Sequence, residues 1–141
     1  MHEANAGLIA ISEVMRALQD ARSAGVPVLA LIGGRCGAFG GIGIVARLAS
    51  AIVMTEEGRL ALSGPEVIET AAGVEEFDSR DRALVWRVTG GKHRYLLGDC
   101  DRLVRDAPAA LREAALGLLE ADALPAPSLA SLTARHRLLG Q

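Results

Sequence analysis

A chain of 141 residues has room for one hydrophobic core, and half of its residues are hydrophobic at a mean hydropathy of +0.28; a disordered polymer is excluded. The formal net charge of −2 gives no long-range pull toward nucleic acid or an anionic membrane, and Phe39, Phe77, Trp86 and Tyr95 are too dispersed for base stacking. Cys36 and Cys100 are too far apart for a CxxC pair, no Cys/His group has metal spacing, and a disulfide between the two would need an oxidising compartment. The start, MHEANAG, has neither the basic region nor the apolar run of a secretory signal, and the stretch Ile42 to Met54 is interrupted by Arg47 and too short for a bilayer. These readings predict a cytoplasmic protein that binds no metal and engages neither nucleic acid nor membrane.

Leu8, Ile11, Met15, Leu18 and Arg22 recur at three- and four-residue steps, predicting a helix over Ala4 to Ala24. Gly25 stops it and Pro27 cannot continue it. Val26 to Ile32 (VPVLALI) is a continuous apolar run of the kind that forms a central parallel strand buried on both faces. Six glycines then fall within Gly33 to Gly43, followed by a helix to about Ser50. Ala51 to Thr55 reads as a second strand ending at the turn Glu56-Glu57-Gly58, and Leu60 to Leu62 as a short third. Ser63-Gly64-Pro65 opens a helix with proline in its first turn. Asp78 or Ser79 is placed to cap a helix through Val88 with Leu84 and Val88 on one side. Gly90-Gly91 ends that helix, and His93 to Leu97 reads as a further strand. Pro108 to Leu119 is helical, Leu124 to Ser128 is a proline-containing linker, and Ser128 to Leu139 is a last helix. Helices alternating with short strands predict an α/β fold, with residues 1–123 as the domain and 124–141 as linker and C-terminal helix.

A glycine cluster between a buried strand and a helix lets another group approach the backbone and leaves N–H donors uncovered by side chains. One reading is a dinucleotide fingerprint: Gly41-Ile42-Gly43-Ile44-Val45-Ala46 fits G-x-G-x-x-A, with Glu56 or Glu57 as the ribose acid. That acid follows too soon to leave room for a crossover helix and a second strand. A P-loop is excluded because no Lys-Ser/Thr follows the glycines. An oxyanion hole for a thioester carbonyl needs only backbone donors, so the lack of a Ser-His-Asp set is no objection. Tight helix–strand packing is the structural alternative.

Gly33-Gly34-Arg35-Cys36-Gly37-Ala38-Phe39-Gly40 resembles the second glycine loop of the carboxyltransferase branch of the crotonase superfamily. Gly64-Pro65-Glu66-Val67-Ile68-Glu69 resembles the Gly-Pro-x-Val-Ile-Glu segment downstream of it. Residues Gly73 to Arg87, with Gly90-Gly91-Lys92-His93-Arg94, are similar to the β subunit of biotin-independent malonate decarboxylase. In that family a Gly-Gly-Val/Ala-Arg segment precedes the stretch that begins here at Met1-His2-Glu3-Ala4. The resemblance therefore implies a C-terminal half, a partial crotonase-like fold without the upstream strands.

It also implies a function. The family decarboxylates a malonyl thioester carried on the prosthetic group of an acyl carrier protein, leaving an acetyl thioester, with no biotin and no cofactor bound directly. The implied partners are the γ subunit, the acyl carrier protein subunit and the acyl carrier transferase subunit. The implied oxyanion donors are the backbone N–H groups of Gly33 and Gly34, with Arg35, Gly37, Phe39 and Gly40 about the substrate. A non-catalytic assembly module, an inactive fragment and an acetyl-CoA carboxylase-type carboxyltransferase subunit are the alternatives. Taken singly, Arg35 reads as a solvated arginine or one that steers a carboxylate or a carrier phosphate, Cys36 as a small buried thiol and not a nucleophile, and Glu66 as a carboxylate in a helix first turn or one that contacts a partner or protonates the enolate. His93 reads as a half-exposed strand residue or as one that meets an anion, and Asp78 to Arg82 as a self-paired helix start.

Overall fold

A computed structural model of the chain describes residues 2–120; the linker and last helix expected beyond residue 123 lie outside them. The first helix, α1, spans His2–Ser23. Gly25, at φ +79°, closes it in a left-handed turn, with N–H groups of Gly25 and Val26 reaching back to the Arg22 and Ala21 carbonyls at 3.0 and 2.9 Å.

Three strands, β1 (Leu29–Ile32), β2 (Ala51–Thr55) and β3 (Arg102–Val104), form a parallel sheet in the order β1-β2-β3. The centre of the sheet is β2, whose five residues are all buried, and not the Val26 to Ile32 run. Pro27 has no N–H to give a ladder, and the Val28 N–H turns to Ser50 Oγ, so pairing begins only at Leu29. Within the described sheet β1 is an edge, and Leu31 remains 48% exposed.

The side chains of β2 serve two apolar layers, as a parallel strand covered on both faces must. Ala51 and Val53 pack with Leu118, Leu111 and Ala114 of α6 (Pro108–Glu120), while Ile52 and Met54 pack with Ile32, Ala38, Ala46, Leu60 and Cys100. Ala46 belongs to α2 (Gly41–Arg47), which makes the crossover between β1 and β2. Gly43 in α2 lies against the backbone: a Cβ there would stand 2.5 Å from the Ala61 carbonyl oxygen. Close packing therefore accounts for this glycine of the G-x-G-x-x-A pattern.

Pro65 opens α3 (Pro65–Ala72), with Glu66 in its first turn. The cap of α4 (Arg82–Thr89) is Asp81, which accepts the N–H groups of Ala83 and Leu84 at 2.9 and 3.1 Å, and neither Asp78 nor Ser79. Asp78 instead takes the backbone N–H and the Nε of Arg80, and the Ser79 N–H goes to Glu69. The side chains that α4 buries are Val85 and Thr89, one position on from the expected Leu84 and Val88.

The expected strand at His93 to Leu97 is a helix, α5 (Gly91–Leu96). The sheet position is taken by β3, because Asp101 clamps Ile52: its carboxylate accepts the Ile52 N–H and its own N–H donates to the Ile52 carbonyl, both at 2.8 Å. Leu60 to Leu62 forms no strand, and Leu62 lies in a bend. Around it single bridges join Leu60 to Ala38 and Arg59 to Gly90.

Asp99 joins two elements by accepting from Arg94 of α5 at 2.8 Å and from Arg47 of α2 at 3.2 Å. Partial burial raises the pKa of Asp99, but hydrogen bonds from the two guanidinium groups outweigh it and hold the carboxyl below its ordinary value.

Candidate active site

The glycine loop leaves the carboxyl end of β1, where ligands of α/β sheets commonly bind. Gly33 is wedged above the sheet: a Cβ there would lie 3.2 Å from Thr55 Cγ2, 3.3 Å from Leu111 Cδ1 and 3.5 Å from Asp106 Oδ1. Gly34 has φ +69° with nothing within 4 Å of an added Cβ, so conformation and not space demands glycine there.

The N–H of Gly34 donates to a carboxylate, Asp106 Oδ1, at 3.0 Å. Asp106 stands in the turn between β3 and α6, and hydrogen bonds from the Thr55 hydroxyl and the Gly34 N–H, with the charge of Arg35, hold it below the usual carboxylate range. This residue carried no signal in the sequence, because it lies 72 positions from Gly34. Only pairing of β3 beside β2 brings it to the loop.

Further along the loop, the Ala38 N–H bonds the Arg59 carbonyl and the Gly40 N–H bonds the Leu62 carbonyl, both at 2.8 Å. Gly40 precedes α2 without a side-chain cap. Arg35 is exposed and makes a loose 3.7 Å contact with Glu57, while Glu56 faces Lys92 at 3.7 Å. The two candidate ribose acids thus have cationic neighbours. Cys36 is exposed, contrary to the expected buried thiol, because the loop turns its side chain away from the core. Cys100 is the buried thiol, pushed up to about 11 by burial and by Asp101 and Asp99. Both cysteines are free. His93 is half-buried on α5.

Several cavities adjoin the loop, including one of about 380 Å³ bordered by Gly33, Gly34 and Asp106. An apolar groove of about 410 Å³ runs between β1 and α2, bordered at the loop by Gly33, Cys36 and Gly37. A polar one of about 530 Å³ lies on the side of Cys36 and Phe39, with Arg59, Arg80 and Arg82 in its wall. Among the described residues no three potential ligand side chains are grouped to hold a metal, and no helix is long and apolar enough to cross a membrane.

The carboxyl transferase domain model matches residues 2–102 of this chain. The chain belongs to that family. It is 52% identical over 120 residues to the malonyl-S-ACP:biotin-protein carboxyltransferase of Malonomonas rubra, covering 85% of this chain and 37% of that protein. A subunit of the Pseudomonas malonate decarboxylase hetero-tetramer, solved in complex with malonate, is 43% identical with a TM-score of 0.82, covering 91% of this chain and 46% of that one. The chain thus spans about half the length of these relatives, or less. Transcarboxylase 12S, at 23% identity and a TM-score of 0.60, shares the fold. The α/β architecture is that of the crotonase-like carboxyltransferases, as the glycine loop and the Gly64-Pro65 segment led one to expect, and the relatives include malonate decarboxylase subunits.

Proposed function

We propose that this chain supplies the enolate-stabilising loop of a malonyl-thioester decarboxylase, acting on a malonyl group carried by an acyl carrier protein. The observation that carries the reading is the Gly34 N–H, which at the carboxyl end of β1 holds an anionic oxygen and not a main-chain carbonyl. Loss of carbon dioxide breaks the bond between the carboxylate and the α-carbon. The electron pair moves into the thioester as an enolate, whose oxygen carries the new charge. Donors at Gly33 and Gly34 would bind that oxygen after the exposed Asp106 carboxylate turns aside, and the α-carbon would then take a proton to give the acetyl thioester. One oriented donor of this kind contributes about 3–4 kcal/mol to lowering the barrier.

Phe39 and Gly37 border the cavities on either side of Cys36, Gly40 leads into α2, and Arg35 offers an exposed cation next to Gly34. We assign the γ subunit as the partner that completes the pocket. The acyl carrier protein would bring the thioester and the acyl carrier transferase would load it. Similarity to subunits of a hetero-tetramer supports a multi-subunit setting.

A second reading is favoured by the Malonomonas rubra relative, whose name gives a biotin protein as acceptor. There the carboxyl group would pass to a biotin nitrogen while the proton displaced from it goes to the enolate carbon. The same loop serves both. Malonyl carrier protein is to be incubated with this chain and its candidate γ partner, with and without a biotinylated carrier. Carbon dioxide release without biotin supports the first reading; turnover that requires the biotin protein supports the second, and none in either arm removes both.

A further inference from the structure

We infer that the polar cavity beside the glycine loop, walled by Arg59, Arg80 and Arg82, binds the phosphate end of the carried thioester arm. This rests on the thioester reading above and adds a binding site to it. Arg59 is the central observation. Its guanidinium carbon lies 5.0 Å from the centroid of the Trp86 ring, and its Nε is buried without a hydrogen-bond partner. Among the described residues no carboxylate lies within 4 Å of Arg59 or Arg82, whereas Arg80 is paired with Asp78 at 3.1 Å. A guanidinium stacked on indole is fixed in orientation, and a buried unpaired N–H carries a cost that an incoming oxyanion removes. Planar forked donors suit a phosphate better than a point charge does.

The cavity adjoins the loop. Arg59 Cβ would stand 2.9 Å from a Cβ on Gly37, and Arg59 accepts the Ala38 N–H through its carbonyl. Cys36 borders both this cavity and the apolar groove on the other side. A ligand crossing the loop thus passes from an apolar wall to a cationic one, with Glu66 as the acidic residue in the same wall. A thioester arm offers two anions, its phosphate and the malonyl carboxylate. The carboxylate is the poorer candidate, because arginines gripping the group that must leave as neutral carbon dioxide would stabilise the ground state over the transition state.

The test is calorimetric binding to the assembled complex, with three probes: malonyl-pantetheine 4′-phosphate, malonyl-pantetheine and acetyl-pantetheine 4′-phosphate. Loss of the phosphate is expected to weaken binding by about tenfold or more in the native complex, corresponding to about 1.4 kcal/mol. Arg59→Gln should erase that difference and leave the difference between the malonyl and acetyl phosphate probes as before. Arg82→Gln, at an exposed helix start, should reduce it in part. Equal affinity for the first two probes overturns the assignment, as does a contrast that follows the carboxylate in place of the phosphate. Phosphate-dependent binding in a complex that does not decarboxylate would leave this site standing and remove the thioester-decarboxylation reading.

Discussion

Gly34 and Asp106 form a pair whose two members make opposite predictions. Placing Val at Gly34 forces a β-branched side chain into φ +69°, which moves the N–H even though no atom lies within 4 Å of the new Cβ. If the loop binds the enolate as proposed, Gly34→Val in the full assembly is expected to lower kcat by about a hundredfold or more with a smaller change in KM, because such a hydrogen bond would strengthen only as charge develops. Cys36→Ala should leave turnover near normal, since the exposed thiol has no part in the proposed chemistry. Steady-state decarboxylation of malonyl carrier protein by both variants, with folding checked by circular dichroism, decides this. A dead Cys36→Ala beside an active Gly34→Val would point to thiol chemistry. Asp106→Ala frees the Gly34 N–H, so kcat should be at least retained and KM should fall severalfold. A loss of kcat as large as that of Gly34→Val would make Asp106 part of the chemistry. The Asp106 pKa is lowered below the ordinary carboxylate value by its hydrogen bonds, so the carboxylate stays charged near neutrality and KM should show no titration from this group there.

At the scale of elements, the Asp99 bridge ties the end of α2 to α5, and so fixes the helix that follows the glycine loop. Its folded pKa lies below the unfolded one, so the stabilisation is fully present above the unfolded value and is lost as pH falls through the folded value, below about 4. Asp99→Asn should cost about 1–2 kcal/mol near neutrality, discounted for the partly exposed Arg47, and this cost should shrink in acid. Urea titrations at pH 7 and pH 3.5 measure it; an equal cost at both values would remove the charge from the account. The same elements show what the sequence could and could not display. The α1 stripe, the Ala51 to Thr55 run and the Pro65 helix start were legible, because each is set by local periodicity or by a residue with one conformation. The His93 to Leu97 segment was not, since six residues of mixed character carry too little period to separate helix from strand, and β3 depends on the distant clamp from Asp101 to Ile52. The loop was visible by its glycines. Its anionic partner Asp106 and the stacked Arg59 were hidden, because tertiary pairing and not spacing brings them there.

Among the described residues several large aliphatic side chains stand exposed. On α1, Leu8 and Ile9 are 67% and 60% exposed, and Leu96 of α5 reaches 83%. Large exposed aliphatic side chains gathered on a helix that packs chiefly against α2 favour burial in an interface. The edge at β1 adds unpaired backbone groups along Leu29 to Ile32 within the described sheet. Purified by itself, the chain is therefore expected to self-associate, and the weight-average mass in sedimentation equilibrium should rise with concentration. Leu8→Glu together with Ile9→Glu places like charges on that face and should shift the distribution toward the monomer without loss of helicity, since Glu is a good helix former and neither side chain is buried. If a partner of similar fold covers this face, mixing it with the native chain should replace self-association by a discrete mixed complex, and the double variant should fail to form it. A native chain that sediments as a stable monomer across the full concentration range would show that these apolar residues drive no association.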